Sequence, residues 1–180
     1  MEYNTLMSFD SDDGNITITD TELSGIYNYP QNDTLIFRNN GNLNISNTGE
    51  QGIYNYTYQQ QSTILFENDE NGVIDIQDVA LDAIYNYSLI WDTTYTTKQV
   101  FDNSGTLKFS NLAHKGLHTN AYRRIDMDII NSGRIEANNV GEEAIFNKTR
   151  TDGSFLHSQL SFENSGEIDI TNNQKRAIYN

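Results

Sequence analysis

The sequence predicts an all-β chain wound into a right-handed parallel β-helix, a solenoid of about six three-stranded coils forming one domain over residues 1–180. Three observations predict it. Six glycines, Gly14, Gly41, Gly72, Gly105, Gly133 and Gly166, recur at intervals of 27, 31, 33, 28 and 33 residues. Twelve residues after each lies an aliphatic side chain: Ile26, Ile53, Ile84, Leu117, Ile145 and Ile178. Between the two, chemistry is kept position by position. A fixed module with a variable loop is the signature of a stacked repeat, in which no unit buries its apolar face alone.

Each repeat supplies three strands. The first ends near an aromatic residue: Phe9, Phe37, Phe66, Phe101 or Phe162, with Ile129-Ile130 in the fifth repeat. A tight turn at the anchor glycine follows, where positive φ is tolerated. The second strand places aliphatics two and four residues later, as in Ile16/Ile18, Ile74/Ile76 and Leu107/Phe109. This period of two marks a strand with one buried face. Asp20, Asn47, Asp78, Asn111, Asn139 or Asn172 ends it, because Asx side chains satisfy local backbone groups in turns. The third strand, short and centred on Ile-Tyr-Asn, follows a small residue: Gly25, Gly52, Ala83, Gly116, Ala144 or Ala177. Asn-Gly is also a strong hairpin signal, which makes an antiparallel meander the rival. A meander has no need for Asx and small-residue positions repeated every third strand. Right-handedness is expected because parallel crossovers overwhelmingly take that hand.

Composition agrees with a solenoid. Apolar residues make up 36% of the chain, below the globular norm, as expected of a thin axial core with much solvated wall. There is no cysteine, so no disulfide framework is available. The net charge of −14 argues against nucleic acid as a partner, because phosphates would be repelled. Charge is uneven: residues 1–97 carry 15 acids and one base, Arg38, while residues 98–180 carry 10 of each. No apolar run approaches the ~20 residues of a membrane helix, so this segment is not expected to insert in a membrane. Met1-Glu2-Tyr3-Asn4 lacks the features of a signal peptide, and Ala177-Ile178-Tyr179-Asn180 stops within a repeat. A fragment of a longer repeat protein is the expectation.

The segments Phe101-Asp102-Asn103-Ser104-Gly105-Thr106-Leu107, Ile130-Asn131-Ser132-Gly133-Arg134-Ile135 and Phe162-Glu163-Asn164-Ser165-Gly166-Glu167-Ile168 carry a resemblance. With the recurring Ala-Ile-Tyr-Asn, this pattern resembles the passenger domains of bacterial autotransporters and related surface adhesins, over nearly the whole chain. The resemblance implies a β-helical stalk, an extracellular or bacterial cell-surface location, and contact with glycans or a host-cell surface. Its motifs are packing and turn positions, which specify architecture better than activity.

One outward column is the candidate binding site: Tyr27, Tyr54, Tyr85, His118, Phe146 and Tyr179, each following an aliphatic anchor. Aromatics stacked along a rod can form a sugar-binding or protein-binding stripe. They can equally be cross-strand ladders that only stabilise the sheet. The following column, Asn28, Asn55, Asn86, Thr119, Asn147 and Asn180, reads as a structural ladder at a bend. Asp10, Asp12 and Asp13, and the turn Glu67–Gly72, are weak calcium candidates. His114, His118 and His157 are too scattered for a metal site, and no cofactor is implied.

A polysaccharide lyase or hydrolase on the same fold is the enzymatic alternative. It would draw on Asp126 and Asp128, or on Asp75, Lys108, Glu136 and Asp169 in one outward column, where the second set more simply forms an ion-pair ladder. The predicted function is a non-enzymatic adhesive stalk. End-to-end or lateral self-association is a third expectation.

Overall fold

The computed structural model describes residues 6–11, 14–58, 61–90, 97–122, 125–150 and 158–180. Strands come in threes along the chain. Coil 1 holds β1 (Leu6–Ser11), β2 (Asn15–Thr21) and β3 (Ile26–Asn28). Coil 2 holds β4 (Thr34–Asn39), β5 (Asn42–Thr48) and β6 (Ile53–Tyr58). Coil 3 holds β7 (Thr63–Asn68), β8 (Val73–Gln77) and β9 (Ile84–Leu89). Coil 4 holds β10 (Thr97–Asn103), β11 (Thr106–Leu112) and β12 (Leu117–Tyr122). Coil 5 holds β13 (Ile125–Asn131), β14 (Arg134–Val140) and β15 (Ile145–Arg150), and coil 6 holds β16 (Gln159–Asn164), β17 (Glu167–Thr171) and β18 (Ile178–Tyr179).

Equivalent strands stack into three six-stranded parallel sheets. This is the β-solenoid read from the sequence, of about five turns, with shortened third strands at both ends. Every described pairing is parallel and in the register of the repeat, as in Ile45↔Ile76 and Phe109↔Ala137. The meander is excluded.

Inward residues form continuous columns. Ile45, Ile76 and Phe109 are fully buried, while Ile170 in the last coil is partly buried against the same core. The first sheet contributes stacked rings: Phe37 lies 4.5 Å from Phe66, and Phe66 lies 4.7 Å from Phe101, both nearly parallel. Offset stacking of this kind contributes about 0.5–1.5 kcal/mol per pair beyond area burial.

The turns explain the anchor glycines. A Cβ on Gly133 would sit 2.1 Å from the Gly105 carbonyl oxygen, and one on Gly166 only 2.0 Å from that of Gly133. Any side chain there would collide with the preceding coil's backbone. The glycines among the small residues before the third strands, Gly25, Gly52 and Gly116, have a similar reason. A Cβ on Gly52 would meet Ile76 Cγ2 at 2.6 Å and the Ala83 carbonyl at 2.7 Å.

Two local readings are corrected. The Asx position does not end the second strand by side-chain capping alone. Asp20, Asn47, Asp78, Asn111, Asn139 and Asn172 all hold φ between 52° and 57°, the left-handed region that Asn and Asp tolerate best among residues with a Cβ. In the longer second strands this kink puts two consecutive residues outward, and the next, such as Thr48 or Val140, points in again. The third strand is not short in the middle of the rod, where it runs for six residues in coils 2 to 5.

Candidate functional site

The third sheet presents the predicted column. Its strands alternate, with Ile53, Asn55 and Thr57 inward and Tyr54, Tyr56 and Tyr58 outward. Tyr27, Tyr54, Tyr85, His118, Phe146 and Tyr179 therefore lie on one outer line. Ring centroids are 5.3 Å apart for Tyr27–Tyr54, 5.2 Å for Tyr54–Tyr85, 4.3 Å for Tyr85–His118, 5.0 Å for His118–Phe146 and 4.8 Å for Phe146–Tyr179. Tyr54 and Tyr85 are parallel within 5°, whereas Phe146 meets His118 edge-on. The inner members of the line are half-buried against one another, and Tyr27 is 54% exposed.

A second column was missed by sequence reasoning. Tyr29, Tyr56 and Tyr87 stack beside the first at 5.2 and 5.5 Å. Rings of neighbouring columns lie 5.5 Å apart in both Tyr54–Tyr56 and Tyr85–Tyr87. The signal was present: Tyr-Asn-Tyr recurs in the first three repeats, and alternate residues of a strand share a face. The result is a grid of six tyrosines on coils 1 to 3.

Stacking decides what the grid can offer. Ring faces inside it are consumed by their neighbours, leaving edges and hydroxyls outward, with an open ring face at Tyr27. Burial, and after it the neighbouring Tyr87 and Tyr29, push the Tyr56 phenol up to about 12. Burial lifts Tyr85 to about 12 as well, against the lowering effect of a hydrogen bond from Asn120. Tyr54 is raised by burial and by four surrounding tyrosines. Burial thus keeps the hydroxyls of Tyr54, Tyr56 and Tyr85 neutral, able to donate and accept.

The asparagine column lies within the strand, not at a bend, and points inward. Asn28 donates to Asn55 Oδ1, and Asn55 to Asn86 Oδ1, both at 2.8 Å. Coil 4 breaks the ladder. Thr119 is too short to continue it, leaving Asn86 Nδ2, Thr119 Oγ1 and Asn147 Oδ1 buried without a partner among the described residues. It resumes with Asn147 donating to Asn180 at 2.7 Å. A second ladder, also unanticipated, runs along the end of the first sheet: Asn39, Asn68, Asn103, Asn131 and Asn164, with donor distances of 2.8, 2.7, 2.6 and 2.6 Å. The Asn103 carbonyl also accepts the N–H groups of Ser132 and Gly133 in the next coil. The Asn of the Asn-Ser-Gly motif is therefore a lock between coils.

Coil 4 carries a different chemistry on its outer face. His118 Nδ1 lies 2.8 Å from Asp82 Oδ2, and Asp82 Oδ1 accepts the Lys115 backbone N–H at 3.0 Å. The Lys115 ammonium sits 5.2 Å from the centre of the Phe146 ring and bonds Glu142, which also takes Lys175 at 2.7 Å. These two lysines hold the Glu142 carboxyl at about 2.

The carboxylates considered for catalysis lie on two other walls. Asp75, Lys108, Glu136 and Asp169 share one outward column of the second sheet. Arg134 contacts Glu136 at 2.8 Å and both Glu167 and Asp169 at 3.8 Å, an open ion-pair ladder. Burial raises Asp75, opposed by Lys108. Asp126 and Asp128 share the outer face of β13, where Ser161 donates to Asp128 at 2.6 Å. Asp12, Asp13 and His157 lie outside the described residues, and Asp10 is placed only by its backbone pairing with Arg38. In the second acidic turn Glu67 bonds Arg38 and Asn68 belongs to the buried ladder. Among the described residues, no three His, Cys, Asp or Glu side chains converge as metal ligands.

Compared with known proteins, the chain matches no family model, no curated protein and no solved structure.

Proposed function

We propose that this chain is a non-enzymatic structural and adhesive segment of an extracellular bacterial surface protein, a solenoid stalk whose third sheet contacts glycans or a host-cell surface. The observation that carries the reading is the six-tyrosine grid on coils 1 to 3. A ligand on it would meet neutral hydroxyls, ring edges and the open face of Tyr27. Ring edges and one exposed ring beside a row of hydroxyls suit sugars, which present apolar C–H patches beside hydroxyls. The grid is a flat wall and not an enclosed cleft, which favours an extended polymer or a surface over an engulfed small molecule. The likeness of the repeat to autotransporter passenger domains supports the location.

Glycan-array and host-cell binding by the purified chain test this. The variant Tyr54→Phe/Tyr56→Phe/Tyr85→Phe keeps the stack and removes three hydroxyls, and Tyr27→Ser removes the open ring face. Loss of binding in both, with thermal stability maintained by the Phe variant, is the expected result. Wild-type chain that binds neither glycans nor cells would sink the proposal. Release of reducing sugar from acidic polysaccharides would replace it with the enzymatic alternative.

A further inference from the structure

We infer that the tyrosine grid is an oxidative cross-linking site, where a haem peroxidase and hydrogen peroxide join Tyr54 to Tyr85 and Tyr56 to Tyr87 as dityrosine and so staple coil 2 to coil 3. The chain has 11 tyrosines and no cysteine, so a disulfide cannot tie its coils together. Six of those tyrosines lie in the grid, Tyr27, Tyr29, Tyr54, Tyr56, Tyr85 and Tyr87. Each proposed link joins residues 31 apart (54 to 85, 56 to 87), and it would constrain the unfolded chain as a disulfide closing a similar loop does.

Geometry selects the pairs. Two phenoxyl radicals couple by a carbon–carbon bond between ring positions ortho to their oxygens. The orbitals that overlap stand perpendicular to the rings, so parallel stacked rings are aligned for the bond and steeply tilted rings are not. Tyr54 and Tyr85 are parallel within 5° with centroids 5.2 Å apart, and Tyr56 and Tyr87 within 10° at 5.5 Å. The pairs that reach coil 1 are less aligned, at 20° for Tyr29–Tyr56 and 52° for Tyr27–Tyr54. In-register parallel pairing of β6 with β9 sends both rings of a pair in the same direction from the backbone. Ortho carbon is thereby brought to ortho carbon, across strands about 4.8 Å apart.

The chemistry balances with peroxide as the oxidant. Each phenol gives one electron to the peroxidase's oxidised haem and its hydroxyl proton to water. The two radicals form the bond, after which each ortho carbon releases its hydrogen as a proton and each oxygen regains one, restoring both rings. The sum is two phenols and one hydrogen peroxide giving one dityrosine and two waters. Burial raises all four phenols, with neighbouring tyrosines adding to it, so each is neutral and must lose its proton along with the electron. All four stand half-buried on the outer face of the third sheet, where water can accept that proton. The staple does not depend on glycan binding.

Dilute purified chain treated with a haem peroxidase and limiting hydrogen peroxide tests this. Dityrosine fluorescence and denaturing gels show whether coupling stays within one molecule. Mass spectrometry after cleavage at Glu and Asp locates it, because Glu67 to Asp82 separate the two pairs of partners. The monomeric band should carry dityrosine, with peptides holding Tyr54 and Tyr56 joined to peptides holding Tyr85 and Tyr87 at the loss of two hydrogens per link. The same chain oxidised in denaturant should lose this preference. Tyr85→Phe/Tyr87→Phe keeps the stacked rings but leaves no phenol to oxidise at those sites, and the links between coils 2 and 3 should vanish. If that variant fails to fold, the wild-type peptide map still decides. Wild-type chain that yields no dityrosine, that couples only between molecules, or whose links are spread as in the denatured chain would overturn the inference.

Discussion

Coils 2 and 3 and coil 4 use the same third strand in opposite ways. In coils 2 and 3 like residues stack on like: Tyr54 on Tyr85, Tyr56 on Tyr87, Asn55 on Asn86. In coil 4 the Tyr-Asn-Tyr triplet becomes His118-Thr119-Asn120. The inner ladder is cut there, and a His–Asp contact with a Lys–Glu–Lys cluster holds the outer face. A parallel in-register stack repeats every residue's environment one strand spacing away, so an amide that both donates and accepts extends indefinitely. A threonine hydroxyl cannot span the gap, and its neighbours on both sides lose partners. Homotypic ladders are thus strong where unbroken, and a single substitution in one disables two junctions.

The largest effect should come from breaking the regular region at its centre. Ile76 has no exposure, and Ile76→Asp buries an unpaired carboxylate between two coils. The cost is on the order of 5 kcal/mol or more, comparable to the stability of a whole domain. Circular dichroism melts should show the rod or its centre unfolded, and an unchanged melt would refute the register.

Next comes the ladder itself. Asn55→Ala orphans the Asn28 amide and the Asn86 carbonyl oxygen, at about 1–3 kcal/mol for each buried group. Asn147→Ala, beyond the break, orphans only the exposed Asn180 and should cost less than half as much. Denaturant titrations of the pair measure the difference, and equal costs would show that the ladder carries no special weight in coils 2 and 3.

The comparison is sharpened by repair. Thr119→Asn should reconnect Asn86 to Asn147 and raise stability by about 1 kcal/mol. A fall in Tm would mean that coil 4 has no room for the carboxamide.

The smallest effect concerns the charged cluster of coils 4 to 6. The Glu142 carboxyl is lowered from 4.5 to about 2 by Lys115 and Lys175. A depressed folded-state value contributes stability that is fully present above the unfolded value and is lost as pH falls through the folded one. Glu142→Gln should therefore be slightly less stable than wild type at neutral pH. The difference should shrink between pH 4.5 and about 2, and also in high salt, because the group is partly exposed to solvent. Paired melts across that window check it.

The solenoid was legible in the sequence because its determinants are local and repeated. Glycine at a turn where a Cβ would strike the preceding coil, Asx at a left-handed kink, and aliphatics two apart each leave a mark at fixed spacing. The outward line from Tyr27 to Tyr179 followed from the same alternation. What the sequence left open depends on neighbours about 30 residues away. Only the stack decides that Asn39, Asn68 and Asn103 bond one another, because an Asn before Ser-Gly reads as turn chemistry in isolation. Only the stack decides that tyrosine faces cover each other and turn their hydroxyls outward, since ring exposure is a property of adjacent coils and not of one strand. The side chains were written in the sequence, but their partners were set by which coil lies above and which below.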